Sequence, residues 1–569
     1  MLLLLIVSLC ATYLFYLYTK RQQRLKELRD VIARRLIERE ESIALAEKSA
    51  ALVALGKREE IAKWNFQELR ENLQKGTVTC VEVLRTFQWK AIMAHKKTNC
   101  ITLFIQEAER WAADWDAKAA EPGFKKPVFF GIPISLKECI AVKGYDTTRG
   151  LAQDVSKPSD SDSVLVQQIK LLGFIPFVQT NVSQLLMSYG CSNPIYGATS
   201  SPLDSSRTSG GSSGGESALL AANGSVIGIG GDVGGSIRVP CHFTGTAGIK
   251  PSHLRFSHRH SPGVVPGRPL VNSNEGPMTL DIKTSADFLK EIWSNNWITE
   301  HDPYVPPVLW NKEMYREGAK YRVGYYVDDG WFTPAPAIQR AVLEAKTHLE
   351  AAGHVVVPFQ PPDVPEMMRQ FVRAVCVDGG SFVFNKLTAD IIDPSHYGQI
   401  FMVLIPIWLQ RIIAYPVELI SPRVANMMRA MTLNTCELRE TYAKIEQYRD
   451  KFVELMMEND LDALLCPPQV LITPKHDIPT KLFCTTSYTA IFNVLDFGAG
   501  VVNVTKVNEK DDQAVLSHYP DTDLWYRKAK EASKDCVGFP VNVQVAAPPY
   551  REEIVLRLLR DIEIAVTGK

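Results

Sequence analysis

The 569-residue sequence lacks an excess of charge of either sign, since Lys+Arg and Asp+Glu each number 63. That balance excludes broad electrostatic recruitment of nucleic acid or of a wholly acidic substrate, so any basic patch must be local. The chain also lacks CxxC pairs and the tight cysteine spacing of a zinc site or a small disulfide scaffold, although eleven cysteines are scattered from Cys10 to Cys536. No metal or cofactor is expected, and unpaired thiols fit a reducing cytosol. No Lys-Ser/Thr follows a glycine tract at phosphate-loop spacing, which excludes a Walker site. No fixed-period repeat exists, which argues against a solenoid. What remains is enough chain for one dominant core with accessories.

One long apolar run is present. Residues 1–19, "MLLLLIVSLCATYLFYLYT", carry no charge and are followed by Lys20, Arg21, Arg24 and Lys26. Its length just suffices to span a bilayer, and the basic flank places the body on the cytosolic side. A cleaved signal peptide is the alternative, but there is no basic n-region and the run ends in bulky aromatics. The expectation is a single-pass anchor in an intracellular membrane such as the endoplasmic reticulum. Residues 20–64, rich in Arg, Glu, Lys, Ala and Leu, predict a charged helical spacer.

From residue 65 to 569 the pattern alternates helix and strand. "DSVLVQQIKLLG" before "FIPFVQTN", and "PAIQRAVLEAKTHLEAAGHVVVPF", each read as a helix, a glycine stop and a strand. The first helix is expected to be capped near Asp160–Asp162. Repetition of this unit implies an α/β class with helices on both faces of one sheet.

Mid-chain lies "TSGGSSGGES", Thr208 to Ser217, with linker composition. It is followed by a helix-favouring run over Glu216–Ala222, a buried strand over Val226–Gly230 and the turn "GGDVGG". A linker would not alternate with core elements, so these glycines mark close backbone approach around Ser212 and Ser213. The formal G-x-S-x-G match over Gly210–Gly214 lacks the preceding strand that a nucleophile elbow needs. Among the histidines none stands in a context that marks a base, and His242 reads as a packed or capping residue. Cys241, after the second turn, reads as a buried inert thiol. A lysine is available instead: in "GIPISLKECI" strand alternation puts Ser135 and Lys137 on one face and Ile134 and Leu136 on the other. Burial disfavours the ammonium, so a lysine in a closed Gly/Ser site can accept a proton.

The ordered blocks "GIPISLKECI", "GGSSGGES" and "GIGGDVGGSIRVP" closely resemble the amidase signature family of serine hydrolases. The spacing fits, with 75 residues from Lys137 to Ser212 and 24 from Ser212 to Ser236. The N-terminal apolar segment, "KKTNCITLFIQEAE", "MSYGCSNPIYG" and "VGFPVNVQV" narrow the resemblance to its membrane-bound branch, over nearly the full chain. That resemblance implies a large mixed, twisted sheet, homodimers, and hydrolysis of long-chain fatty acid amides, N-acylethanolamines and primary amides among them, to fatty acid and amine. It gives the catalytic roles to Lys137, Ser212 and Ser236: Ser236 as nucleophile and Ser212 as proton relay, its peptide bond cis. By chemistry the "DVGGS" turn should aim the N–H groups of Val233, Gly234, Gly235 and Ser236 at the oxyanion, helped by a helix starting at Ser236. Leu186 is expected to contribute a backbone carbonyl, by resemblance alone, and Ser212 to border the substrate. Asp232 and Arg238 are expected to brace the turn, and Ser213 to bond within its loop. An amidase for other small amides or esters, or a silent membrane-tethered scaffold, are the alternatives.

A second apolar stretch, residues 401–423, "FMVLIPIWLQRIIAYPVELISPR", is broken by Pro406, Pro416 and Pro422 into pieces too short to span. Ile405, Leu409, Ile412 and Ile413 make a stripe at helical spacing beside Trp408. The expectation is a membrane-binding cap, with Trp408, Arg411 and Arg423 at the headgroups; a buried core helix is the alternative.

Overall fold

Runs of β-branched residues bounded by Gly, Pro and Asn form the strands, and among the described residues eleven of them make one sheet. The computed structural model describes residues 2–261, 263, 265–267, 270–482 and 485–568. The strands are β1 (Ile101–Phe104), β2 (Pro133–Lys137), β3 (Ile175–Thr180), β4 (Ile227–Asp232), β5 (Ala247–Lys250), β6 (Asn274–Thr279), β7 (Arg322–Tyr325), β8 (Val355–Pro358), β9 (Ala463–Cys466), β10 (Gly498–Lys506) and β11 (Pro540–Ala547). Their order is β1-β3-β2-β4-β6-β5-β10-β11-β9-β7-β8. The sheet is mixed: β2 runs parallel to β3 and β4, whereas β4–β6, β5–β6 and β5–β10 are antiparallel. Every residue of β2, β3, β4 and β6 is buried, as expected where helices cover both faces.

The helix predicted around "VLVQQIKL" spans Val164–Leu171, but its cap is Ser163, whose hydroxyl accepts from the Val166 N–H at 3.3 Å, rather than Asp160–Asp162. Gly173 follows at φ +99° and releases the chain into β3. The linker-like tract is core, as its flanks implied: helix Gly214–Ala221 and β4 follow it directly.

This order puts Lys137 at the carboxyl end of β2 and Asp232 at the carboxyl end of β4, two parallel neighbours. The crevice beyond such strand ends is where α/β sheets place their ligands.

Residues 2–50 form a single helix that joins the apolar run to the first part of the expected charged helix. It is long and apolar enough at its start to cross a membrane, and Leu3 to Tyr18 are all exposed. The charged part instead lies along the body from Leu28 onward, because it carries its own apolar stripe: Ile43 and Ala46 join the main core. Arg35 pairs with Asp146 at 2.5 Å and Arg39 donates to Asn99 Oδ1 at 2.6 Å. The long charged helix expected over 20–64 is thus present as far as Ala50, but from Leu28 it packs on the body instead of standing off from it.

Tyr397–Leu404 and Ile407–Glu418 form a helical hairpin bent by 100° at Pro406. Its outer face is apolar and exposed at Phe401, Leu404, Trp408, Ile412, Tyr415 and Leu419, so a buried core helix is ruled out. The stripe differs from the expected one. Ile405 and Leu409 are half-buried, and Ile413 packs toward Ala414, Ala425 and Met428. The arginines are also placed differently. Arg411 forms a bidentate pair with Glu437 at 2.5 and 2.7 Å, and Arg423 turns inward to Asp523 at 2.6 Å and to the Phe332 and Tyr526 rings. Each found a carboxylate within the fold, which the local sequence does not show.

Candidate active site

The strand alternation read from "PISLK" is observed: Ser135 and Lys137 share a face and both are buried. Ser135 donates to the buried carboxyl of Glu216, which also accepts from Thr180 at 2.8 Å; burial pushes Glu216 up to about 7. Lys137 Nζ lies 2.7 Å from Ser212 Oγ and donates to the Gly231 carbonyl at 2.9 Å. Burial lowers the Lys137 pKa, more than its acidic surroundings at Cys139 and Asp232 raise it. A lysine in that state can offer a lone pair to the Ser212 hydroxyl.

The two serine loops meet through the Ser213 N–H, which donates to the Ser236 carbonyl at 3.2 Å, and through the Ser213 hydroxyl, which donates to the Gly231 carbonyl at 3.3 Å. The Gly211–Ser212 peptide bond is cis. A Cβ on Gly211 would stand 2.3 Å from the Gly190 carbonyl oxygen, which accounts for the glycine. Ser236 lies on the wall of a cavity of about 500 Å³, half-exposed, and no partner takes its hydroxyl among the described residues. Ser212 is itself buried behind that wall.

Asp232 and Arg238 lock the nucleophile turn and are both fully buried. Arg238 donates to Asp232 at 2.9 and 3.0 Å, to Asn493 Oδ1 at 2.6 Å, to Gln544 Oε1 at 2.9 Å and to the Thr489 carbonyl at 3.0 Å. Burial alone would raise the Asp232 carboxyl, but the guanidinium holds it well below the usual carboxylate range. Asn493, Gln544 and Thr489 lie more than 250 residues downstream, and no local signal could have named them.

Two expectations change here. Gly235 lines the cavity, but its N–H is taken by Asp232 Oδ1 at 2.8 Å. Among the described residues, Val233, Gly234 and Ser236 keep N–H groups that no acceptor takes. The helix begins at Arg238 rather than Ser236, because Asp232 Oδ2 accepts the Ile237 N–H at 3.1 Å where a helical turn would otherwise start. At only seven residues it adds little dipole.

Leu185 and Leu186 both adopt the left-handed region, at φ 54° and 55°, which costs an L-residue roughly 1–2 kcal/mol. The surrounding bonds enforce it: the Leu185 N–H donates to the Arg149 carbonyl at 2.8 Å, and His396 and Gln399 hold the Gln184 and Met187 carbonyls at 2.9 and 3.2 Å. Leu186 lines the cavity with Met187, Val239, Phe371 and Val375. His242 is packed as expected, its ring within 3.0 Å of the Leu471 carbonyl, and burial pushes the Cys241 thiol up to about 12. No cluster of three potential metal ligands occurs among the described residues.

The arrangement is a half-exposed serine on the cavity wall, a buried serine hydrogen-bonded to a buried lysine, and a turn whose N–H groups at Val233, Gly234 and Ser236 take no acceptor among the described residues. The amidase family model matches residues 82–556. Fatty acid amide hydrolase 1 of Caenorhabditis elegans is 53% identical over 569 residues, covering 100% of this chain and 99% of that one. Fatty-acid amide hydrolase 1 of Sus scrofa is 38% identical over 503 residues, covering 87% and 84%. A solved structure of fatty acid amide hydrolase shares the fold with a TM-score of 0.77 at 24% identity, over 97% of this chain and 94% of that chain.

Proposed function

The chain belongs to the amidase family and hydrolyses amides, and from that premise we propose that its substrates are long-chain fatty acid amides drawn from a membrane. The observation that carries the chemistry is Lys137 Nζ at 2.7 Å from Ser212 Oγ, buried and shifted toward its neutral form. Neutral Lys137 takes the Ser212 proton while Ser212 takes that of Ser236, whose Oγ attacks the amide carbonyl. Val233, Gly234 and Ser236 offer N–H groups to the developing oxyanion, each such donor being worth about 2.7–4 kcal/mol. The relay then runs in reverse and protonates the amine nitrogen, which leaves poorly otherwise. Water deacylates Ser236 by the same path.

The apolar side of the cavity, Leu186, Met187, Phe371 and Val375, suits an acyl chain. Two features support membrane supply. One is the apolar start of helix Leu2–Ala50; the other is the hairpin face from Phe401 to Leu419. Arg21 donates to the Asp390 carbonyl at 2.6 Å, so the anchor leaves the body beside the segment that leads into the hairpin, and one bilayer can receive both. In this reading Trp408 and Ile412 insert, Ile413 supports them from behind, and Arg411 fixes the hairpin to Glu437. The basic residues after position 19 orient the body to the cytosol, in the endoplasmic reticulum, and homodimerisation follows the family resemblance. The test is kcat/KM across amides of increasing acyl length. A steep rise with length is expected; a flat or falling series would return the chain to small amides.

A further inference from the structure

The cavity wall has two chemistries, and the nucleophile turn separates them. Beside Gly234 it is apolar, with Phe371 Cζ only 2.8 Å from the place a Cβ would take. Beside Gly231 it is polar, with Lys137 Nζ and Ser273 Oγ at 3.7 and 3.9 Å from the corresponding place. Register continues the polar side along β6, where Glu275 pairs with Gly231 and Asn274 with Asp232. Glu275, Ser273, Ser261, His258 and His253 all line the cavity.

Within this wall the Glu275 carboxylate, nearly fully buried, accepts from Ser261 Oγ at 3.0 Å and faces His258 Nδ1 at 3.3 Å. The His258 ring stacks on His253 with centroids 5.2 Å apart, and its other nitrogen, Nε2, is buried with no partner among the described residues. Buried polar atoms are almost always hydrogen-bonded, so a bare ring nitrogen on a residue lining a substrate cavity marks a contact that the free protein leaves unmade. Burial is the largest single influence on both groups and opposes charge on each, yet the pair's attraction, together with the neighbouring carboxylates at His258 and the hydrogen bonds at Glu275, leaves His258 raised and Glu275 lowered from their ordinary values. None of these residues acts in the reaction described above.

The relay must hand its proton to the amine nitrogen, so the amine half of the substrate lies on the Lys137 side, against this polar wall. We propose that the wall is the amine subsite and that the His258–Glu275 pair is its specificity determinant, selecting a neutral hydroxyl-bearing amine over the same amine without its hydroxyl and over one ending in a carboxylate. A hydroxyl both donates and accepts, and so can meet the carboxylate and a ring or serine donor together. An alkyl end leaves those groups facing no partner, and an anionic end meets the Glu275 charge. The inference rests on cleavage of the amide at Ser236.

The test uses the full-length protein and three amides of one long acyl chain: the 2-hydroxyethylamide, the propylamide of equal size and the carboxymethylamide. The wild type is expected to favour the hydroxyl over the propyl amide by about tenfold in kcat/KM, the size of one charge-assisted hydrogen bond, and to use the carboxylate least. His258→Phe keeps a ring on His253 but removes both nitrogens, and should bring the hydroxyl-to-propyl ratio close to one. Glu275→Gln should raise the relative rate on the carboxymethylamide. Because each ratio compares two substrates on one enzyme, any change in the Lys137 base cancels. Ser273→Ala, which removes a single hydroxyl, serves if either variant fails to fold, and should lower the hydroxyl-to-propyl ratio alone. Ratios equal to wild type in variants that still react with a fluorophosphonate at Ser236 overturn the proposal. Absence of wild-type turnover on all three amides would instead remove the reading beneath it.

Discussion

Between Asp232 and Arg238 charged side chains are wholly buried, whereas between Phe401 and Ile420 seven large apolar side chains stand exposed. Both regions invert the usual placement of residue types, in opposite directions. At the turn the inversion is answered inside the molecule, since Asp232 accepts from Gly235, Ile237, Arg238 and Asn493, and Arg238 reaches three further oxygens. Such a closed network is rigid, and rigidity is what a preorganised oxyanion site requires. At the hairpin no described residue covers the apolar face, and that exposure is what the proposed lipid contact rests on. One region works by being complete and the other by being incomplete.

The sharpest way to break this contrast is at the nucleophile. Ser236→Ala should lower turnover by about 10^4-fold or more with an unchanged melting temperature, since it removes one hydroxyl from a site that is otherwise held in place. Retention of wild-type turnover in the purified variant would move the nucleophile elsewhere. Ser212→Ala should cost about 10^2–10^4-fold, the range of a lost proton-transfer path, read as kcat with little change in KM. If KM alone changed, Ser212 would be a binding residue and not a relay.

Completeness of the turn is tested by opening it. Asp232→Ala leaves the Arg238 guanidinium buried without its carboxylate and should destabilise the protein by about 3–5 kcal/mol in chemical denaturation. A loss near zero would mean that the network is not what holds the turn. The smallest effect is expected at the hairpin. Trp408→Glu with Ile412→Glu, in a chain shortened by residues 1–19 and so still containing Leu28 and its contacts, should weaken vesicle binding. It should also raise the apparent KM for a long-chain amide in vesicles by a few fold, while a short soluble amide is cleaved as before. Equal losses on both substrates with a lowered melting temperature would mean that the exposed face supports the fold and does not serve a membrane.

Legibility followed the range of the interactions. Lys137, Ser212 and Ser236 were readable because each lies in a short block whose glycines and alternation are local properties. The core position of "TSGGSSGGES" followed from its flanks, and β3, β8 and the helices before them from their stop signals. The partners of Arg238, the pairing of Arg411 with Glu437 and the inward turn of Arg423 depend on which distant segments the sheet order brings together. No local window contains that order. The bond of the Gly235 N–H to Asp232 was not legible for a related reason, since a turn sequence does not say which of its amides a nearby carboxylate will take. The exposed hairpin face was legible in part: Trp408 and Ile412 stand on it, whereas Ile405 and Leu409 are half-buried and Ile413 packs inward against Ala414, Ala425 and Met428, distant neighbours that helical spacing does not reveal. His258 and Glu275, 17 residues apart, become a pair only when the connection after β5 folds back along β6.

The central claim is that a buried, neutral lysine drives Ser236 through Ser212, and the pH dependence of acylation tests it most directly. Mass spectrometry should place a fluorophosphonate adduct on Ser236. Because only the neutral amine can accept the proton, the labelling rate should climb as pH rises through the folded-state pKa of Lys137. Burial lowers that pKa, so the rate should level off below the ~10.4 of an ordinary lysine. In Lys137→Ala the reaction should be slow and its alkaline rise lost. An unchanged pH profile in that variant, or an adduct on Ser212 instead, would contradict the account.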